Sequence, residues 1–286
     1  MIILIPNAGL CNRMRAIDST IALSQEIGAP LRIYWKQNDV LNCRFHDLFE
    51  PIPEALANII EVQKVPVFFR NVENIRQAPL RFMFENFQKT YINKRLLSQE
   101  VSRLHRDCFD FKTLAAHKNI LIEAESRFFG GKTTPMYQYF KPIYEIEAAI
   151  QEVTQPFSAH TIGVHIRRSD NEKAINHSPL ELFIQVMQKE ISFDPRTTFF
   201  VASDSESTKK TLIGIFGDKL MFSNQKKGDR NTKEGMKQAV VDLYALSKTK
   251  KLLGSYWSSF SHTASHLSGI QEIIVRKERL PLIYGL

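Results

Sequence analysis

The chain has 286 residues, 43% of them hydrophobic and 24% charged, with a formal net charge of +8. That composition excludes a disordered or fibrous chain and allows one large domain or two of ordinary size. The positive balance favours anionic partners, whether phosphorylated metabolites, nucleic acid or an anionic membrane surface.

Met1-Ile2-Ile3-Leu4-Ile5 reads as a short strand, soon broken by Pro6 and Asn7, without the basic start of a signal peptide. A tight turn follows, then an amphipathic helix from about Asn12 to Ile27 with Gly28 as its C-cap, then a strand from Leu31 to Trp35. Beyond that the pattern weakens. Pro51, Pro53, Pro66 and Pro79 punctuate the segment, and Arg76 to Glu100 is polar and aromatic without a clear period. Asn119 to Ala124 reads as a strand, and the stretch around Pro142 to Phe157 as a helix leading into a second sheet.

The second half alternates more cleanly. Residues 161–166 read as a strand and 179–191 as a helix, opened by a capping Ser178 and by Pro179 in the first turn. Thr197 to Ala202 is the next strand, Ser205 to Phe216 the next helix, and Lys219 to Phe222 a short strand before a polar loop, Ser223 to Thr232. A helix from about Glu234 to Ser247 carries Val240, Leu243, Tyr244 and Leu246 on its apolar face. Leu252-Leu253-Gly254 ends another strand, Ser258 to Leu267 is a helix, and Ile273 to Val275 a last strand. This rhythm implies parallel, doubly wound sheets. The expected architecture is α/β, with two Rossmann-like domains, residues 1–155 and 156–286, facing each other across a central cleft.

Four strand-to-helix junctions carry candidate chemistry. At the first, Gly9-Leu10-Cys11-Asn12-Arg13, glycine permits a tight turn or a close ligand approach, and the following helix presents free N–H groups. An ordinary turn capped by Asn12 fits equally well, and G-x-G-x-x-G is absent. The second is His165-Ile166-Arg167-Arg168-Ser169-Asp170, directly after a buried strand. Paired guanidinium groups at a strand's C-terminal end suit a phosphate, and ligands of open α/β sheets bind at that edge. Arg167 is the expected phosphate ligand and Arg168 its support. His165 is placed to reach a sugar hydroxyl or base, and Asp170 to orient an arginine.

The third junction is Ser203-Asp204-Ser205-Glu206. Its D-x-E spacing admits a divalent cation, but capping by Ser203 or Asp204 is the favoured reading. The fourth joins Asp242, whose carboxylate can accept two N–H donors from a guanine, to Trp257-Ser258-Ser259-Phe260 at a helix start. Simple serine capping fits that start as well. His262 and His266, four residues apart on one helix, are read as packing or solvent-facing rather than as a metal pair. Lys226, Lys227, Arg230, Lys233 and Lys237 make a basic loop and helix start, a solvated face that could also close over a diphosphate. Cys11, Cys43 and Cys108 lack C-x-x-C spacing, which argues against disulfides or zinc and for a cytoplasmic chain.

The His165–Asp170 stretch resembles the H-x-R-x-x-D region shared by the α1,2-, α1,6- and protein O-fucosyltransferases, including the bacterial nodulation fucosyltransferases. The other motifs keep their order. Gly9-Leu10-Cys11-Asn12-Arg13 is similar to the N-terminal glycine–asparagine turn, and Val201-Ala202-Ser203-Asp204 to the strand-end aspartate motif. Val241-Asp242-Leu243 followed by Trp257-Ser258-Ser259-Phe260 is similar to the last motif. The chain departs in having one glycine where many relatives have two, and Ser205 where some carry a second acidic residue.

The resemblance implies a glycosyltransferase-B type enzyme, inverting and metal-independent, with GDP-fucose as co-substrate rather than cofactor and a glycan or glycoconjugate as acceptor. It implies Arg167 on the β-phosphate, His165 near ribose or base, Asp242 on guanine, and Ser258, Ser259 and Phe260 around the phosphates. It also implies a minimal catalytic unit of bacterial type, and the charge of +8 adds an expected peripheral contact with an anionic membrane surface. Asp18, Glu123 and Glu125 are the candidate general bases. A different donor, GDP-mannose or a UDP-sugar, is the first alternative. A basic nucleic-acid-binding protein is the second, disfavoured because aromatic and basic residues are not interleaved.

Overall fold

The computed structural model describes residues 1–70, 76–130, 136–168, 172–223 and 231–278. The chain divides into two compact units, Met1–Lys141 and Pro142–Leu286.

The first unit runs β1 (Ile2–Pro6), α1 (Leu10–Ile27), β2 (Leu31–Lys36), β3 (Asn58–Val62), α2 (Ala78–Tyr91), β4 (Lys94–Leu96), α3 (Ser98–Arg106) and β5 (Ile120–Ala124). Its five strands form a parallel sheet in the order β3-β2-β1-β5-β4. Central β1 is buried along its whole length, as a strand covered on both faces must be. Ile3, Ile5, Tyr34, Val65, Phe69, Ile92 and Leu121 pack into one core cluster. α1 starts at Leu10 with Gly9 as its N-cap, earlier than the expected start at Asn12. It ends at Gly28 in the left-handed region (φ 64°), where Ala29 N–H closes onto Ser24 O at 3.0 Å.

The segment that lacked a clear period contains two helices and a strand, α2, α3 and β4. Leu80, Phe82 and Met83 of α2 are all exposed. Leu80, Met83, Phe84, Phe87 and Tyr91 do recur at helical spacing, but Phe82 and the surrounding polar residues blur the stripe.

The second unit runs α4 (Tyr144–Thr154), β6 (Thr161–Ile166), α5 (Glu172–His177), α6 (Leu180–Phe193), β7 (Thr198–Ser203), α7 (Glu206–Phe216), β8 (Leu220–Met221), α8 (Lys233–Ser247), β9 (Leu252–Ser255), α9 (Ser259–Ser268) and β10 (Glu272–Val275). Its parallel sheet has the order β10-β9-β6-β7-β8. Each expected strand–helix pair of this half is present. Ile162, Val164 and Ile166 of β6 meet Phe183, Val186 and Met187 of α6 in the core.

Two close approaches fix the layers. A Cβ on Gly163 would lie 2.7 Å from Thr249 Oγ1 and 3.1 Å from Leu246 Cδ2, so glycine lets β6 approach the end of α8. A Cβ on Gly254 would lie 2.8 Å from Ser261 Oγ, so glycine also seats α9 on β9. From β6 the chain winds outward through β7 to β8, then crosses back to β9 on the opposite side. The reversal lies between β6 and β9, and the crevice beyond their carboxyl ends is where an open α/β sheet accepts a ligand.

Candidate functional site

His165, the penultimate residue of β6, is buried between β7 and β9. Its ring stacks on Phe260 of α9, centroids 4.8 Å apart, and shares a 3.4 Å hydrogen bond through Nδ1 with Ser258 Oγ. Burial, and secondarily the positive Arg167, push its pKa down to about 4, so the imidazole is neutral at physiological pH.

Just past β6 the backbone turns outward under the control of β9. Ser255 Oγ accepts Arg167 N–H at 3.0 Å and donates to His165 O at 3.2 Å. Arg167 Nη1 pairs with Asp204 Oδ2 at 3.1 Å, both side chains about four-fifths covered. Asp204 Oδ1 also accepts the backbone N–H of Arg168 at 2.8 Å. One carboxylate at the end of β7 therefore aims the guanidinium at the end of β6. A partly buried arginine held by a carboxylate at a strand's C-terminal end is suited to meeting an anion.

The capping expected of Ser203 or Asp204 is done instead by Ser205, whose Oγ accepts Thr208 N–H at 3.3 Å. Ser203 is occupied with Ile166 O at 2.8 Å, tying β7 to the end of β6. Among the described residues no group of three or more His, Cys, Asp or Glu side chains is arranged to hold a metal ion.

Arg168 is held by backbone carbonyls, its Nη1 donating to Arg167 O at 3.2 Å. Its Nη2 donates to Ser178 O at 2.7 Å and its guanidinium lies 6.0 Å from the Phe183 ring. Burial lowers its pKa. Ser178 itself is fully buried and does not cap α6, whose N-cap is Pro179. Its hydroxyl donates to Val275 O and accepts Tyr256 N–H at 2.8 Å. A single serine thus joins the segments after β6, β9 and β10.

Ser258 caps α9, accepting Phe260 N–H at 3.3 Å, and Ser259 opens the helix. The free N–H groups of that first turn lie at the sheet edge where Arg167 emerges, a second source of positive potential. Asp242 lies on α8, buried, and accepts from Ser223 Oγ just past β8 and from Gln238 Nε2 at 3.3 Å. Asp170 and Ser169 fall outside the described residues, as do Lys226, Lys227 and Arg230. Lys237 pairs with Glu145 of α4. His266 Nδ1 meets its own helix at His262 O, 2.8 Å away.

In the first unit Gly9 is extended (φ −77°) and a Cβ there would meet open space, whereas Ala8 takes the left-handed turn conformation at φ 63°. Asn12 is half-buried in the first turn of α1. Arg13 is 1% exposed. It donates to Ala8 O at 2.8 Å, to Lys36 O and to Asn38 Oδ1 at 3.0 Å, and stacks 5.1 Å from the Trp35 centroid. Burial pushes its pKa down to about 10, still charged at neutral pH. Its donors are spent holding the turn to β2.

Asp18 accepts from Arg127 Nη1 at 2.7 Å and from Tyr137 N–H at 2.8 Å, with burial raising its pKa. Glu123 pairs with Arg95 at 3.1 Å, and Glu125 is exposed beyond β5. The residues that sequence reasoning missed, Ser178, Ser223 and Ser255, are all hydroxyls that bond to the candidate residues or their backbone.

No protein-family model matches the chain, and no curated protein matches it by sequence. Solved structures do match. NodZ α1,6-fucosyltransferase soaked with GDP-fucose is 19% identical over 93% of this chain and 92% of that one, with a TM-score of 0.60. A mutant of Arabidopsis thaliana FUT1 in complex with GDP is 14% identical over 96% of this chain and 69% of that one, TM-score 0.61. Apo POFUT1 is 10% identical over 96% and 97%, TM-score 0.56. The resemblance carried by the motifs is thus matched at the level of the fold, an α/β architecture with two parallel sheets.

Proposed function

We propose that this chain is a fucosyltransferase that moves L-fucose from GDP-fucose to a hydroxyl of a glycan or glycoconjugate, with inversion at the anomeric carbon. The observation that carries the reading is Arg167, aimed by Asp204 and set beside the N-terminus of α9 at the β6/β9 reversal. The shared fold with a structure soaked with GDP-fucose and one in complex with GDP supports the choice of donor.

In this mechanism the acceptor oxygen bonds to C1 of fucose as the C1–O bond to the β-phosphate breaks. The bonding pair leaves with GDP and the acceptor proton passes to a base or to solvent. The chain's task is to stabilise the charge gathering on the β-phosphate. Arg167 does so directly, and Ser258, Ser259 and the free N–H groups of α9 assist. Asp204 acts through Arg167, and Arg168 anchors the segment that carries it. Neutral His165 offers a hydrogen bond without competing charge. Asp242 reads guanine, with Ser223 and Gln238 holding its carboxylate. Gly9 and Asn12, at the start of α1 in the first unit, are assigned to the acceptor side. The positive charge assembled by Arg167 and α9 makes a metal unnecessary, and full turnover in EDTA is the expected result.

The deciding experiment is a thermal-shift series with GDP, GDP-fucose, GDP-mannose, UDP and UDP-sugars, because a ligand that binds only the native state raises its stability. Stabilisation by GDP and GDP-fucose, with none from the uridine nucleotides, is expected. Stabilisation by UDP alone would overturn the donor assignment. Arg167→Ala is expected to lower turnover by about 10²-fold or more with the fold intact, the scale of losing one oxyanion donor.

A further inference from the structure

Trp257 lies between Ser255, which ends β9, and Ser258, which caps α9. Its φ of 57° is in the left-handed region, disfavoured for a bulky side chain by about 1–2 kcal/mol. It is also 65% exposed, so burial of the indole does not offset that strain. Strained residues of this kind persist where their surroundings over-determine them, commonly at ligand sites. Here the neighbours on both sides are clamped. Tyr256 N–H is held by Ser178 at 2.8 Å, and Ser258 is tied to both Phe260 N–H and His165.

The indole is held as well as displayed. Lys173 Nζ lies 4.6 Å from its centroid, and Lys173 belongs to α5, the helix that follows the Arg167–Arg168 segment. The connections after β6 and after β9 therefore present one aromatic ring beside the proposed phosphate site.

Sheet order indicates what that ring would meet. Arg167 and Ser258 sit at the ends of β6 and beyond β9. Ser223 sits just past β8, two strands to one side, and donates its hydroxyl to Asp242 of α8, the proposed base-reading carboxylate. Trp257 follows β9, on the other side of β6 from β8. A nucleotide running from β6 toward β8 leaves its sugar pointing away from the base, toward β9. A pyranose presents a face of C–H groups, and tryptophan is a rigid, amphipathic partner for such a face.

We propose that Trp257 is the stacking platform for the donor's pyranose ring, and so the residue that distinguishes a nucleotide sugar from the bare nucleotide. The proposal rests on the GDP-fucose reading of the same site. Calorimetric titration of GDP and GDP-fucose into the wild type, Trp257→Ala and Trp257→Phe tests it. GDP should bind all three alike. GDP-fucose should bind Trp257→Ala about five- to tenfold more weakly, the scale of one lost aromatic contact, and Trp257→Phe should recover most of that loss. Equal weakening of both ligands, or none for GDP-fucose, would overturn it.

A measurement on the wild type keeps the test independent of any folding defect. The chain has two tryptophans, and Trp35 is fully buried with its indole N–H donated to Cys43 O at 2.8 Å. Quenching by acrylamide therefore reports Trp257. GDP-fucose should reduce quenching while GDP leaves it unchanged, and equal protection by both counts against the proposal. A wild type that binds no guanine nucleotide defeats the donor reading and this proposal together. Normal binding of both ligands, with the variants unchanged, defeats only the role of Trp257.

Discussion

Asp204 pairs with the guanidinium of Arg167 and accepts the backbone N–H of Arg168, so one carboxylate fixes both residues of the proposed phosphate site. Asp204→Asn keeps the shape and removes the charge, so kcat/KM should fall by about tenfold, less than for Arg167→Ala, with GDP-dependent stabilisation reduced in parallel. His165 makes a different prediction. Its folded-state pKa of about 4 lies below the ordinary value of 6.5, so between those values the unfolded chain binds a proton that the folded chain does not. Stability should therefore rise with pH through about 4 to 6.5 and be complete above it, by up to about 3 kcal/mol. Urea midpoints should show this slope in the wild type and a flatter one in His165→Gln. Arg167 stood out in the sequence because a charge at a strand's end has few structural uses, whereas Asp204 was read first as a helix cap, a task that Ser205 performs. Arg13 was legible only as a charge near a glycine turn, since two of its partners are the backbone carbonyls of Ala8 and Lys36, which leave no mark on the sequence. Ser255 was silent, and Ser178 was read as a cap it does not make, for a related reason: a hydroxyl's role depends on which strands become neighbours.

Among the elements, the second unit was readable because strands covered on both faces appear as unbroken apolar runs between capped helices. β6 is the clearest case, buried at all six positions. α2 and α3 escaped because their apolar residues, although at helical spacing in α2 (Leu80, Met83, Phe84, Phe87), are few among many polar neighbours, and Leu80, Phe82 and Met83 are exposed. The element that matters most to the site is α9. Gly254 lets it sit against β9, where an added Cβ would lie 2.6 Å from Glu272 Oε1 and 2.8 Å from Ser261 Oγ. Gly254→Ala should cost about 1–3 kcal/mol and displace the helix start that carries Ser258 and Phe260. GDP affinity should fall with stability in that variant. Gly163→Ala, crowded against Thr249 at the other end of β6, should cost a similar amount while sparing affinity.

For the molecule as a whole, two sheets with separate cores and a net charge of +8 set the expectations for binding. Long-range attraction of an anionic donor is screened by salt, so on the proposed reading KM for GDP-fucose should rise between about 0.05 and 0.5 M salt, while kcat, assigned there to Arg167 at close range, should change little. GDP should raise the same calorimetric transition that Gly163→Ala lowers, because both act on the second unit. Within that unit, Ser178 makes the chain's behaviour collective. It receives Tyr256 N–H, donates to Val275 O and offers its carbonyl to Arg168, so the segments after β6, β9 and β10 share one buried anchor. Opening any one of them means breaking the anchor for all three. Their amides should therefore exchange with solvent at one common rate in the wild type, and at three separate rates in Ser178→Ala.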